Sequence, residues 1–267
     1  MKINLNADLG ESFGAWKMGE DEALLQVVNS ANIACGFHAG DPMVMRRTVR
    51  AALAAGVSLG AHPAYPDLQG FGRRPMALSP AEVEAAVIYQ VGALAAFAAA
   101  EGGRLSHVKP HGALSNQACE DAALADAVAR AVRAVDRELI LLAPALSQLY
   151  FAGERAGLRV AAEIFADRAY TDEGMLMPRS RPGAVLHDHA EVAAHVLRML
   201  AAGGIVAHSG KVLPAPMQSI CVHGDTPGAV ESARYLAAAL GEAGWERVSV
   251  PEVLAEKALR GSTERKH

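Results

Sequence analysis

The feature that most constrains this 267-residue chain is a recurring unit: a short apolar run, a break at glycine or a polar residue, then a longer helical pattern. Its clearest instance is Ser30–Pro42, Ser-Ala-Asn-Ile-Ala-Cys-Gly-Phe-His-Ala-Gly-Asp-Pro. There an apolar run stops at Gly36, presents His38, and opens a helix near Pro42. The unit recurs at Lys2–Ala7, Val57–Ala61, Leu105–Val108, Glu138–Leu142, Arg159–Ile164 and Ser219–Val222. Strands alternating with helical stretches predict a parallel α/β sheet. Six of the seven runs release ionisable groups at the same end. A flat doubly wound sheet would gather its site at one switch point, so the pattern favours a closed or nearly closed (β/α) barrel of about seven strands. Without a linker or a fixed repeat, residues 1–267 read as one domain, with 261–267 a frayed tail.

The helices follow from their punctuation. Ser79-Pro80-Ala81-Glu82 is a capping box, opening a helix that runs to about Glu101 and is read as buried from its uncharged, alanine-rich stretch. Glu120–Val135 reads as one helix, Ile205–Leu213 as a hairpin turning at Ser209-Gly210, and Thr226-Pro227 as the cap of a last long helix. Val248–Val250 reads as a closing strand, with a helix from Pro251. Tyr170–His187 is a long connection without periodicity, which predicts a lid.

With 25 Lys and Arg against 29 Asp and Glu, the formal charge of −4 and the lack of a basic block argue against nucleic acid as a partner. Met1-Lys2 leads straight into a strand with no apolar signal core, and no run reaches the roughly 20 apolar residues of a membrane span. The three scattered cysteines fit a reducing compartment, so the expectation is a cytoplasmic chain.

The strand ends collect Asp8, Glu11, His38, His62, Lys109, His111, Glu163, Asp167, Arg168, His223 and Asp225. Singly, each has an ordinary explanation as a helix cap, core histidine or surface pair. Their convergence on one cavity is what points to a hydrolytic or group-transfer centre. Asp8 or Glu11 suits a general base, and His38, His62, His111 and His223 suit acid–base work. Lys109, fixed before Pro110, suits a carboxylate or developing oxyanion, and Arg74 or Arg168 suits a bidentate carboxylate clamp. Spacing does not compel a metal. If one binds, Asp8, His38, His62 and His223 are the ligands to expect. Cys35 precedes His38 but sits inside an apolar run, so it reads as packing. The chain has no G-x-x-x-x-G-K-[ST], no G-x-G-x-x-G opening a helix and no G-x-S-x-G.

Asp8-Leu-Gly-Glu-Ser-Phe-Gly14, Ser30–Pro42, Gly60-Ala-His-Pro63, Pro66-Asp-Leu-Gln-Gly-Phe-Gly-Arg-Arg74, His107-Val-Lys-Pro-His-Gly-Ala-Leu114, Phe165-Ala-Asp-Arg-Ala-Tyr170 and Ile220-Cys-Val-His-Gly-Asp225 together resemble the LamB/YcsF family, the A subunits of bacterial 5-oxoprolinase. The resemblance runs from Ile3 to about Gly244. It implies a distorted barrel of the polysaccharide-deacetylase type and ATP-dependent opening of the 5-oxoproline lactam to L-glutamate. It also implies subunits B and C as partners, which would share the handling of ATP and Mg2+. Arg74 or Lys109 would then contact the substrate carboxylate or a phosphorylated intermediate. Where the family usually has Cys, this chain has Ala7, which argues against a nucleophile there; Ser115 replaces a usual Tyr, and Glu173 a usual Asp. Two other readings remain open at this point: a metal-dependent amide or carbohydrate deacetylase acting alone, and a lactam-binding subunit without catalysis.

Overall fold

A computed structural model describes residues 1–222 and 228–255 of the chain. The elements are β1 (Lys2–Leu9), α1 (Asp21–Leu25), β2 (Ser30–Ala34), α2 (Pro42–Ala54), β3 (Ser58–His62), α3 (Pro80–Ala100), β4 (Leu105–Val108), α4 (Gly112–Glu120), α5 (Ala122–Val135), β5 (Ile140–Pro144), α6 (Gln148–Arg155), β6 (Arg159–Phe165), α7 (His189–Ala202), β7 (Gly204–Val206), β8 (Val212–Pro214), β9 (Ser219–Val222), α8 (Ala229–Glu242) and β10 (Glu246–Arg247). Seven parallel strands run in the order β1-β2-β3-β4-β5-β6-β9, and β9 pairs back onto β1 to close the barrel. The hairpin β7–β8 is antiparallel and lies outside it.

The closure explains the alternating character of the first strand. Ile3, Leu5, Ala7 and Leu9 join the apolar layer between sheet and helices. Asn4, Asn6 and Asp8 take the other face, toward the barrel axis, where they meet polar partners from neighbouring strands. Asn4 donates to the Ser30 hydroxyl and the Val248 carbonyl, both at 2.8 Å. Asn6 donates to Glu163 and Ser219, again at 2.8 Å, and accepts from Asn32 at 2.7 Å. A barrel interior can hold such groups only because neighbouring strands supply partners; a buried amide left unpaired costs about 1–3 kcal/mol.

Between β3 and β4 the register skips a residue, pairing Leu59 with Leu105 but Gly60 with His107. The bulge turns His107 inward over Gly60, whose missing side chain makes the space: a Cβ there would lie 2.1 Å from His107 Nε2. His107 then donates to Asn32 Oδ1 at 3.0 Å. Burial, with the charges of Lys109 and His62, pushes its pKa down to about 3, so the ring is a neutral spacer.

Several sequence expectations change. The helix read from Glu120 starts at Ala122, because Asp121 caps α5 by accepting from Ala123 N and Leu124 N, and the unexpected α4 ends just before it. The closing strand is Glu246–Arg247, paired with Lys2 and Ile3, rather than Val248–Val250, of which Val248 alone bonds β1, its N donating to Ile3 O at 3.0 Å. Helix α3 has the expected capping box at Ser79. It buries only the face carrying Val83, Val87, Gln90, Val91, Leu94 and Ala98, while Tyr89 is exposed. By length and composition alone α3 could cross a membrane, but here it packs on α5 and β3. Thr226-Pro227 and the tail 261–267 lie outside the described residues.

Candidate active site

The carboxyl ends of β1 to β4 build the floor of a cavity of about 440 Å³. Asp8 ends β1 and Glu11 follows it; His38 lies in the turn after β2, and His62 is the last residue of β3. After β4 the chain continues to pair with the exit of β3: Lys109 N donates to Ala61 O and His111 N to Pro63 O, each at 2.9 Å. That extension holds the Lys109 and His111 side chains against His62.

The histidine tautomers can be worked out from their outer partners. His62 Nδ1 lies 2.7 Å from the Lys109 carbonyl oxygen, and His111 Nε2 lies 2.8 Å from the Phe71 carbonyl oxygen. A carbonyl only accepts, so both of those nitrogens carry hydrogen. The two inner nitrogens, His62 Nε2 and His111 Nδ1, are 3.0 Å apart. Two lone pairs at that distance repel, so the contact needs a cation between them, a proton or a metal ion. Asp8 Oδ2 is 3.4 Å from His62 Nε2, and Glu11 Oε1 is 3.4 Å from His111 Nδ1 and 3.0 Å from His38 Nε2. His38 stacks on His111 with ring centres 3.9 Å apart, and its buried Nδ1 has no partner.

The environments push these pKa values apart. Burial works against a charged His62, but the Asp8 carboxylate, by charge and hydrogen bond, outweighs it with help from Glu11, and His62 titrates above its ordinary value. Burial is the main reason that His38 and His111 titrate well below theirs, and the positive charge on His62 adds to it. The rings are thus driven in opposite directions, His62 toward its charged form and His38 and His111 toward their neutral forms.

Below this layer, Lys109 Nζ donates to Asp8 Oδ1 and to Cys221 Sγ, both at 3.0 Å, and lies 3.2 Å from Glu163 Oε1. Burial opposes its charge, yet Asp8, Cys221 and Glu163 hold it protonated well above its usual range. Glu163 is also pushed upward, chiefly by burial, and its Oε2 is an unpartnered buried atom.

Asp8, Glu11, His62, Lys109, His111 and Arg168 line the cavity; His38 touches it through Glu11 and His111, and Glu163 through Lys109. Arg74 does not line it. Its guanidinium is bound to Asp67, which also accepts from Gly70 N at 2.9 Å, and the cavity is lined instead by its neighbour Arg73. The sequence cannot distinguish adjacent arginines before the loop is folded. Asp167 is half-buried beyond the lining residues, where its backbone carbonyl accepts from Leu186 N at 2.9 Å. His223 and Asp225 lie outside the described residues.

The residues that could hold a metal also differ from the expected set. Glu11, His38, His62 and His111 offer ligand atoms all within 4.8 Å of one another. His111 joins the set because the segment after β4 folds back onto β3, and Glu11 stands where Asp8 was expected because Asp8 is engaged by Lys109 and Asn32; His223 lies outside the described residues. Three imidazoles and a carboxylate fit a borderline divalent ion such as Zn2+, and each of two rings donates its outer N–H to a carbonyl, as metal-bound histidines do. The unpartnered His38 Nδ1 and the facing lone pairs of His62 and His111 are consistent with that fit. Sequence reasoning missed Arg73, His107 and Arg179; the Gly-Arg-Arg ending of its loop was the only signal for Arg73. Cys35 packs as expected, donating to Ile33 O at 3.1 Å, and burial pushes its thiol up to about 12. The long connection does not stand clear of the barrel: Gly174 to Arg179 form one wall of the cavity.

The sequence model of the LamB/YcsF family matches residues 3–255. The A subunit of a 5-oxoprolinase from Azoarcus sp. (strain BH72) is 80% identical, across 95% of this chain and 99% of its own. The crystal structure of a lactam utilization protein from Thermus thermophilus is similar with a TM-score of 0.88 at 48% identity, covering 93% of this chain and all of that one. A peptidoglycan deacetylase from Bacillus subtilis has a TM-score of 0.51 at 13% identity, covering 99% and 95% of the two chains, and shares the fold alone.

Proposed function

The chain belongs to the LamB/YcsF family, and from that premise we propose that it is the A subunit of an ATP-hydrolysing 5-oxoprolinase. It is a hydrolase acting on a cyclic amide, opening the 5-oxoproline lactam to L-glutamate in the cytoplasm, in complex with subunits B and C. The observation that carries the chemistry is the pair of facing imidazoles, His62 Nε2 and His111 Nδ1 3.0 Å apart at the base of the cavity, with Asp8 favouring the charged form of the first and burial the neutral form of the second.

A lactam is a stabilised amide, so its carbonyl oxygen must become an electron-withdrawing group that makes the carbon electrophilic before water adds at useful rates. Phosphorylation of that oxygen by ATP does this. The chain has no phosphate-binding glycine loop of the P-loop type, which supports nucleotide handling shared with the partner subunits. Within the cavity, Glu11 is placed to take a proton from attacking water and His62 to deliver one to the departing ring nitrogen, and the acyl phosphate left by ring opening releases phosphate on hydrolysis. Asp8 holds His62 in its charged form, and Lys109 keeps Asp8 ionised. Should a divalent ion occupy Glu11, His38, His62 and His111, it would supply Lewis-acid polarisation of the substrate carbonyl.

Purified protein mixed with subunits B and C, ATP and 5-oxoproline is expected to yield glutamate and ADP; no turnover by a well-folded complex overturns the reading. The four-residue ligand cluster favours one alternative, a metal-dependent amide or carbohydrate deacetylase working alone. Metal-dependent activity without ATP would decide for it.

A further inference from the structure

Helix α3 carries no charged residue from Ala85 to Ala100, yet its buried face holds one polar side chain, Gln90, with no exposure to solvent. Val87, Val91 and Leu94 share that face. An apolar side chain is the ordinary occupant of such a position, because a buried amide loses its water and must regain every hydrogen bond from the protein. Gln90 regains them chiefly from one residue. Its Oε1 accepts from Ala64 N and its Nε2 donates to Ala64 O, both at 2.9 Å. The second hydrogen of Nε2 goes to Ala86 O, one turn back in α3, also at 2.9 Å. The first two bonds are the pair that a facing antiparallel strand residue would exchange with Ala64. The third fixes the plane of the amide.

Ala64 lies where the backbone leaves the sheet. Strand β3 ends at His62, whose pairing with Ala34 is the last that it makes with β2. Pro63 then brings no N–H to a ladder, and its carbonyl accepts from His111 N at 2.9 Å. The segment that carries His62 and seats His111 is thus held by the extension of β4 as far as Pro63, and by Gln90 at the next residue. Side-chain packing makes a second link. The side of Gly72 where a Cβ would sit faces His38 Cβ and His111 Cδ2, each 2.9 Å from that point, and Ala64 Cβ, 3.2 Å from it. A shift of Ala64 would therefore reach the imidazoles both through Pro63 and through this contact.

We propose that Gln90 is a positioning residue, a side-chain amide that stands in for a strand and fixes the exit of β3 so that His62 Nε2 and His111 Nδ1 keep their 3.0 Å approach. It does not line the cavity and acts through Ala64. The effect on turnover rests on the 5-oxoprolinase reading; the clamp on the backbone does not.

Two variants of the full chain test it, each checked for folding by circular dichroism. Gln90→Leu nearly keeps the volume and removes the amide. In the complex reconstituted with subunits B and C it is expected to lower kcat about 10²-fold, the cost of a misplacement of about 1 Å, with little change in KM for 5-oxoproline. Gln90→Glu keeps the shape. Its protonated carboxyl can donate to Ala64 O while accepting from Ala64 N, whereas the carboxylate only accepts and turns an oxygen toward the Ala64 carbonyl. Burial raises such a carboxyl into the range of about pH 6 to 9, so its kcat relative to wild type should fall about tenfold as pH rises through that range, while the Gln90→Leu ratio stays level. In the chain alone, Gln90→Leu should quicken hydrogen exchange at the Ala64 and His111 amides and leave those of Asn6 and Asn32 as in wild type. Wild-type kcat or wild-type His111 exchange in Gln90→Leu overturns the clamp. So does exchange that quickens alike at all four amides, which marks a general loss of stability, or a Gln90→Glu ratio that does not change with pH. If the wild-type complex turns over no 5-oxoproline, the functional reading fails, and the exchange pattern alone decides the clamp.

Discussion

Lys109 donates to Asp8 at 3.0 Å and lies 3.2 Å from Glu163, so its removal leaves two carboxylates facing each other inside the barrel. Lys109→Met is expected to cost about 3–5 kcal/mol, the usual penalty for breaking a buried ion pair from one side. Denaturant unfolding measures it, and the loss should shrink as pH falls and the carboxylates protonate; an unchanged midpoint at neutral pH would refute the pairing. His111→Ala, checked for folding by circular dichroism, should lower kcat of the reconstituted complex by about 10²–10⁴, the range for a disrupted acid–base pair. Much of this was legible at single positions: Asp8, Glu11, His62, Lys109 and His111 were all expected at strand ends and do meet in one cavity. What could not be read was which neighbours each would find. Lys109 looked like a cation available to substrate, and its charge is taken up by Asp8 and Glu163. Asn6, Asn32 and His107 were passed over because a polar residue in mid-strand has no evident partner until the barrel closes and sets the register.

The loop from His62 to Pro75 supplies both Arg73 and the Phe71 carbonyl that orients His111. Its own anchor is Asp67, whose carboxyl is lowered from 3.8 to about 2, first by the hydrogen bond from Arg74, with burial opposing and Gly70 N adding to the effect. A depressed carboxyl stabilises the folded form above its ordinary pKa, and that contribution is lost as pH falls from there through about 2. Amide exchange at Phe71 to Arg74 should therefore accelerate across that acid window. Asp67→Asn should show the fast exchange already at neutral pH, and exchange as slow as wild type would rule the anchor out. Gly60→Ala tests the bulge: its Cβ would displace the His107 ring from Asn32, and overpacking of this kind costs about 1–3 kcal/mol, read as a lower melting temperature. Elements with strong punctuation were readable from sequence, α2 from Asp41-Pro42 and α3 from its capping box. Helix α4 was not, because Pro110-His111-Gly112 reads as a loop. Gly112 instead starts the helix at a φ of +56°, against the Gly72 carbonyl, where a Cβ would lie 2.5 Å from the oxygen.

Across the whole molecule, the closed order of seven strands brings ligand atoms from β1, β2, β3 and β4 within 4.8 Å of one another. Elemental analysis of protein purified without chelators is expected to find about one divalent ion per chain, and His38→Ala should lose it. Metal-free wild type with full activity in the reconstituted complex would assign the facing histidines to a shared proton instead. The seven-strand closure was legible because its repeating unit is local, whereas the metal set was not, since it depends on chain segments folding back on one another. One consequence concerns how such a protein can change over generations. The amides, histidines and ion pairs along the barrel axis are at once its filling and its chemistry, so nearly every alteration there is tested twice, for folding and for turnover. The connection from Tyr170 to His187 and the loop bearing Arg73 touch the same cavity without filling the barrel. New substrates are therefore most accessible to this fold through its rim, while changes along its axis must also preserve folding.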